Sequence, residues 1–172
     1  PVKRLKSVLK RGGRIVVVDP RHNETAKVAG EYQPIRPGAD LWFLLSFLQV
    51  MASRGIDPDI LSSPHFDGAA TVLEAAADWP PEATADITGI APDELRQLVE
   101  AFCTAEGASI ITGTGIGLSG HGTLVQWLVE VIVALSGNLD RRGGNLVGEG
   151  HFAFAGYAKK KTLFSRQTPS TI

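Results

Sequence analysis

The sequence predicts an α/β fold, Rossmann-like, with a mainly parallel sheet and helices on both faces, and three observations predict it. The first is the run Ile15-Val16-Val17-Val18, β-branched with no polar alternation, which suits a parallel strand covered on both faces. The second is a similar run, Ser109-Ile110-Ile111-Thr112, that leads towards an apolar helix. The third is what each run enters: Asp19-Pro20-Arg21-His22-Asn23-Glu24-Thr25 in the first case, a glycine-rich loop from Gly113 to Gly122 in the second. Open α/β sheets hold ligands beyond the carboxyl ends of their strands, so the two loops are expected to meet at one rim, with right-handed crossovers between strands. A loop carrying Asp and Asn can hydrogen-bond a ribose or a base, while a glycine loop before a helix lets backbone N–H groups approach a pyrophosphate. The pair reads as a nucleotide-type binding surface.

In chain order, a short basic helix is expected over Val2 to Lys10, then a turn at Gly12-Gly13 and a strand from Arg14 to Val18. A brief segment at Thr25 to Ala29 precedes an extended stretch at Tyr32 to Arg36, where Pro34 and Pro37 argue against a central strand. Asp40 to Arg54 is apolar nearly all round, which predicts a deeply buried helix stopped by Gly55. Short helices are expected around Asp59 and from Asp67 to Ala77, after which Pro80-Pro81 breaks the chain. Pro92 suits a first helical position with Asp93 and Glu94 in the first turn, and Leu95, Leu98, Val99 and Phe102 repeat at helical spacing towards Gly107. Beyond the second strand, Leu124, Trp127, Leu128, Val131, Ile132 and Leu135 mark another packed helix, closed by Gly137. Residues from Asp140 are loop-like, and 151–172, with Lys159-Lys160-Lys161, read as a polar, flexible tail to a domain spanning 1–150.

The chain's 172 residues and 44% hydrophobic content fit a single soluble domain. Its 17 Lys and Arg against 18 Asp and Glu leave a formal charge of −1, so there is no basic field to draw in nucleic acid. Cys103 is the single cysteine, which excludes an internal disulfide and any cysteine-ligated zinc or iron–sulfur site built from this chain alone. His22, His65, His121 and His151 show no ligand spacing, so neither a metal ligand nor a catalytic residue is assigned. No apolar run approaches the roughly 18 residues of a membrane span. The chain opens at Pro1 without a methionine and is expected to be a piece of something longer.

Val18-Asp19-Pro20-Arg21 with Thr25-Ala26 and Ala29, followed by Pro37-Gly38-Ala39-Asp40 opening an apolar helix, resembles the cofactor-binding core of the molybdopterin oxidoreductases of the dimethyl sulfoxide reductase type. Asp86-Ile87-Thr88-Gly89-Ile90 before an Asp-Glu-Leu helix, Gly113-Thr114-Gly115, and Ser136-Gly137-Asn138-Leu139-Asp140 with Gly143-Gly144-Asn145 follow in that family's order and at similar distances. The resemblance runs over about residues 10 to 147, and its specificity lies in the ordered set rather than in any one piece.

The resemblance implies the central segment that grips a molybdopterin guanine dinucleotide. The parent would carry molybdenum or tungsten on two such dinucleotides and perform two-electron chemistry at the metal. Its metal ligand would come from a segment on the amino-terminal side, and any [4Fe-4S] cluster from earlier still, not from this chain. Asp19, Pro20, Arg21, His22 and Asn23 would line the loop beside one guanosine, with Gly38, Ala39 and Asp40 alongside its guanine. Asp40 suits that contact, since one carboxylate accepts from the guanine N1–H and N2–H together. Thr114, Gly115 and Leu118 would fall where the family's glycine loop touches pterin or phosphate; Leu118 departs from the glutamine frequent there.

Plainer readings stand beside these. Asp40 can be the cap of its helix, Asp19-Pro20 a strand-ending turn, the glycine loop a packing device, and Arg21 the partner of a neighbouring carboxylate. Cys103 reads as a small core residue and His121 as an exposed loop residue. Two other functions stay open: a structural family member in a respiratory complex that has lost the cofactor, and a stand-alone nucleotide-binding module. On the leading reading the chain alone is inactive, and its partners are the remaining domains of the parent, electron-transfer subunits, and a second copy through apolar area left exposed. The redox substrate is not read from this segment, and the compartment stays open with the cytoplasm favoured.

Overall fold

The computed structural model describes residues 2–147; the expected tail at 151–172 and the last residues of the expected domain lie outside them. Val2–Lys10 form helix α1, with Val2, Leu5 and Val8 on one stripe, and none of its residues is buried. Strand β1, Val16–Asp19, then pairs in parallel with β2, Glu31–Pro34, in the register Val16 to Glu31 through Asp19 to Pro34. The connection carries α2, Glu24–Ala29, whose start is capped by the Asn23 side chain accepting from the Ala26 N–H at 3.0 Å. Pro34 ends β2, where a missing N–H is tolerated.

The Arg14 guanidinium reaches across the mouth of the two strands to the Glu31 carboxylate, with bonds of 2.9 and 2.7 Å. Those hydrogen bonds hold the Glu31 carboxyl below its ordinary value of 4.5. A carboxylate depressed in the folded state adds stability above its unfolded pKa and loses it as pH falls through the folded value. Both side chains are about half exposed, so the pair is worth under about 1 kcal/mol. Glu31→Gln is therefore expected to cost a little stability near neutrality and progressively less as pH falls through the folded carboxyl's range, checked by urea unfolding at neutral and acid pH.

Helix α3, Asp40–Ser53, is the centre of the molecule. It packs against α5 (Ala69–Ala77), α6 (Pro81–Thr88), α7 (Pro92–Thr104) and α9 (Gly122–Leu135), while the single turns α4 (Pro58–Leu61) and α8 (Thr114–Gly117) lie between these longer helices in the chain. Leu44, Phe47, Leu48 and Met51 of α3 meet Leu95 and Val99 of α7 and Val125, Leu128 and Ile132 of α9 in one core. Ser46 is the buried hydroxyl on this largely apolar helix, and it is satisfied by the Trp79 carbonyl and the Thr84 hydroxyl, each at 2.7 Å.

Two expectations need adjusting. Pro80-Pro81 does break the chain, since α5 ends at Ala77 and Pro80 is extended, but Pro81 also starts a helix that was not expected, α6, with Glu82 in its first turn and Gly89 ending it at φ 76°. Proline at a first helical position and glycine just past the end are helix boundary signals, so the pair closes one helix and opens the next. The second strand is also absent among the described residues. Residues 108–112 are extended but pair with no strand, and the sheet has the order β1-β2 only. The mainly parallel sheet is met to the extent of these two strands, and the molecule is a helix-rich α/β fold.

Candidate functional site

The loop after β1 is organised from within. Asp19 accepts from the Arg21 N–H at 2.7 Å with one carboxylate oxygen and from the Asn23 side-chain amide at 2.9 Å with the other. Asn23 is thus engaged at both ends, to Asp19 and to the α2 start, and the His22 ring stacks on Tyr32 at 4.7 Å. Pro20 and Arg21 are exposed, and the Arg21 guanidinium forms no ion pair among the described residues. The reading of Arg21 as partner to a neighbouring carboxylate is not met.

The Gly38-Ala39-Asp40 corner turns the chain from β2 into α3. Gly38 sits at φ 77°, Ala39 is buried and occupies the cap position, and no side chain caps the helix. Asp40 is the first helical residue instead of the cap, partly exposed, and its carboxylate has no hydrogen-bond or ion-pair partner among the described residues. A carboxylate in the first turn is favoured by the helix dipole, yet its four lone-pair sites remain free for a donor pair.

The glycine loop contains α8 and leads into α9. Thr114, Gly115 and Leu118 are exposed, Leu118 to 87%. A side chain at Gly113, Gly115, Gly117 or Gly120 would meet nothing within 4 Å, so one side of the loop faces open space. Gly122 is different: a Cβ there would come within 2.7 Å of the Ile116 carbonyl, so only glycine lets α9 start against α8. His121 stands at the cap position of α9 without a side-chain capping bond, which leaves the first N–H groups of a 14-residue helix without a side-chain acceptor. Beside them Gly117, Ser119, Gly120, His121, Gly122 and Thr123 line a hollow of about 300 Å³. The Ser119 hydroxyl oxygen is buried and has no partner among the described residues. Open glycines beside a helix start that no side chain caps are a backbone setting suited to anionic oxygens.

The Trp42 ring, in the first turn of α3, meets His121 edge-on at 5.9 Å, which brings the α3 start and the glycine loop together. On the other side, Asp19 is in register with Pro34, a few residues ahead of Gly38 on the same chain. A second hollow of about 410 Å³, lined by Met51, Ile56, Ile60, Cys103, Leu135 and Arg141, lies at the far end of α9, roughly 21 Å along the helix. It contains no residue expected at the site. Cys103 packs against the core, and burial pushes its thiol up. Among the described residues no group of His, Cys, Asp and Glu could hold a metal, and no helix is long and apolar enough to cross a membrane.

No protein-family model matches the chain. It is 33% identical over 144 residues to the probable oxidoreductase YyaE of Bacillus subtilis, covering 81% of this chain and 21% of that one. It is 32% identical over 130 residues to the nitrate reductase of Symbiobacterium thermophilum, covering 71% and 17%. The solved structure of acetylene hydratase from Pelobacter acetylenicus superposes with a TM-score of 0.71 at 25% identity, over 78% of this chain and 19% of that one. The chain thus spans about a fifth of the length of the relatives it matches. Its homologues are molybdenum-dependent oxidoreductases, and the chain is homologous to one segment of the molybdopterin oxidoreductases of the dimethyl sulfoxide reductase type.

Proposed function

We propose that this chain is the segment of a molybdenum-dependent oxidoreductase that grips the guanine dinucleotide part of its cofactor. The observation that carries the reading is the unpaired Asp40 carboxylate at the start of α3, tied through Trp42 and His121 to a glycine loop with free donors. Asp40 accepts from the guanine N1–H and N2–H, a pair that adenine does not present. Arg21 is a cation free to reach a phosphate, and Asp19 with Asn23 holds the loop that carries it. Thr114, Gly115 and Leu118 face pterin or phosphate from the glycine loop. The parallel pair β1-β2 is the part of a Rossmann-like sheet that the rest of the enzyme completes, with helices on both faces.

In the parent, molybdenum or tungsten on two molybdopterin guanine dinucleotides supplies the two-electron chemistry. This chain contributes binding and orientation, with the metal ligand, any [4Fe-4S] cluster and the electron-transfer partners provided by other segments or subunits. Leu118 favours a second reading, a structural relative that has lost the cofactor, because an apolar residue offers no hydrogen bond on the loop. One measurement separates the two. Purified full-length protein is expected to contain molybdenum or tungsten together with releasable guanine nucleotide; a folded protein containing neither leaves only the structural reading.

A further inference from the structure

The chain folds its glycine loop between two fixed points, and one of them is made of side chains. Residues 108–112 have the β-branched character of a covered strand but no strand beside them among the described residues. The Ala108 N–H and both backbone groups of Ile110 are met by two asparagines from the turn after α9. The Asn145 side-chain amide accepts from the Ile110 N–H and donates to the Ile110 carbonyl, both at 2.9 Å, reproducing the two contacts a neighbouring strand would make at one residue. The Asn138 side-chain oxygen accepts from the Ala108 N–H at 3.1 Å, two residues back on the same edge, while its amide nitrogen donates to the Ser136 hydroxyl at 3.0 Å.

The turn holding these amides is itself locked. Asn145 N–H bonds the Asn138 carbonyl at 2.9 Å, Asp140 N–H bonds the Asn145 carbonyl at 2.7 Å, and the Arg141 guanidinium donates to the Glu106 carbonyl at 2.7 Å. A Cβ on Gly144 would fall 2.0 Å from the Asn138 carbonyl oxygen, so the turn closes only around glycine. On the other side of the loop, the Thr112 hydroxyl donates to the Gln126 side-chain oxygen of α9 at 2.8 Å. The register matters, because Ile110 packs on the core while Ile111 is 89% exposed, and a slip of one residue would exchange them.

We infer that Asn138 and Asn145 are positioning residues: their side chains stand in for a strand and set the exit of residues 108–112 into the Gly113–Gly117 loop, so that its donors face the dinucleotide. This rests on the cofactor reading above, and the test is built to separate the two. The experiment compares full-length wild type, Asn145→Ala and Asn145→Asp by hydrogen–deuterium exchange and by guanine nucleotide content. Asn145→Ala is expected to speed exchange in the segment 106–118 about tenfold or more while α3 and α7 keep wild-type protection, and to lower nucleotide retention. Asn145→Asp keeps the acceptor but sets a carboxylate against the Ile110 carbonyl; protonating it restores a donor, so exchange in 106–118 is expected to return towards wild type as pH falls. A role confined to stability would instead move exchange in every helix together. Unchanged exchange in 106–118, or a uniform change, overturns the inference. Wild type without nucleotide overturns the cofactor reading, and nucleotide retained in full by an Asn145→Ala protein whose loop has loosened overturns the link between loop and ligand.

Discussion

Asp40→Asn in the full-length protein is expected to lower guanine dinucleotide retention by about 10- to 100-fold, with little change in folding stability. Asparagine keeps the size of the side chain but turns one acceptor into a donor, facing two N–H groups of the base with one acceptor only. Hydrogen bonds to a charged group are worth about 1.5–3 kcal/mol each, and each 1.4 kcal/mol is tenfold in affinity. The folding side of the change is small, because the Asp40 carboxylate caps nothing and bonds nothing among the described residues. What the fold loses is a charge at a helix start, about 0.3–1 kcal/mol. Nucleotide content and thermal unfolding of the same preparation check both halves. A variant that unfolds earlier yet keeps its nucleotide would return Asp40 to a purely helical role.

The largest expected loss of stability comes from Leu48→Ala. Leu48 has no exposed surface and sits on α3, where the core from α7 and α9 converges. Removing its branched end costs the lost transfer energy and the cavity left behind, about 2–5 kcal/mol together. The site cannot collapse easily, since α3 is held by helices on several sides and by the Ser46 to Thr84 hydroxyl contact. Urea unfolding should show a lower midpoint with an unchanged slope; a change below 1 kcal/mol would contradict the central place given to α3.

α3 was legible in the sequence because an apolar run of helical length between Pro37-Gly38 and Gly55 leaves few alternatives, and α9 because its apolar spacing ends at Gly137. β1 was legible for the same kind of reason. The segment 108–112 reads as a strand because β-branched residues favour an extended chain without saying what pairs with it. Two asparagine side chains bond part of its edge, and nothing local distinguishes them from a backbone partner. α6 was missed because the Pro80-Pro81 pair carries two meanings, and only the Gly89 end signal eight residues on decides between them. At the site, the chemistry of Asp40 could be read from its type and neighbours. The inward commitment of Asp19 and Asn23 could not, since it depends on a turn that brings position 23 back onto position 19. Asn145 was visible as part of an ordered motif, but its role comes from a contact 35 residues away in the chain.

Ile111, Leu118 and Trp127 are half to nearly nine-tenths exposed, and the hydrogen bond from Thr112 to Gln126 sets the first and last of them near each other along α9. An excised version of this segment would therefore carry its most adhesive surface next to the loop that a nucleotide assay interrogates. Dyes, detergents and aromatic ligands would adsorb there whether or not the guanine contact is real. Titrations with the isolated piece would rank compounds by greasiness, whereas a competition between guanine and adenine nucleotides on the intact enzyme is blind to that surface.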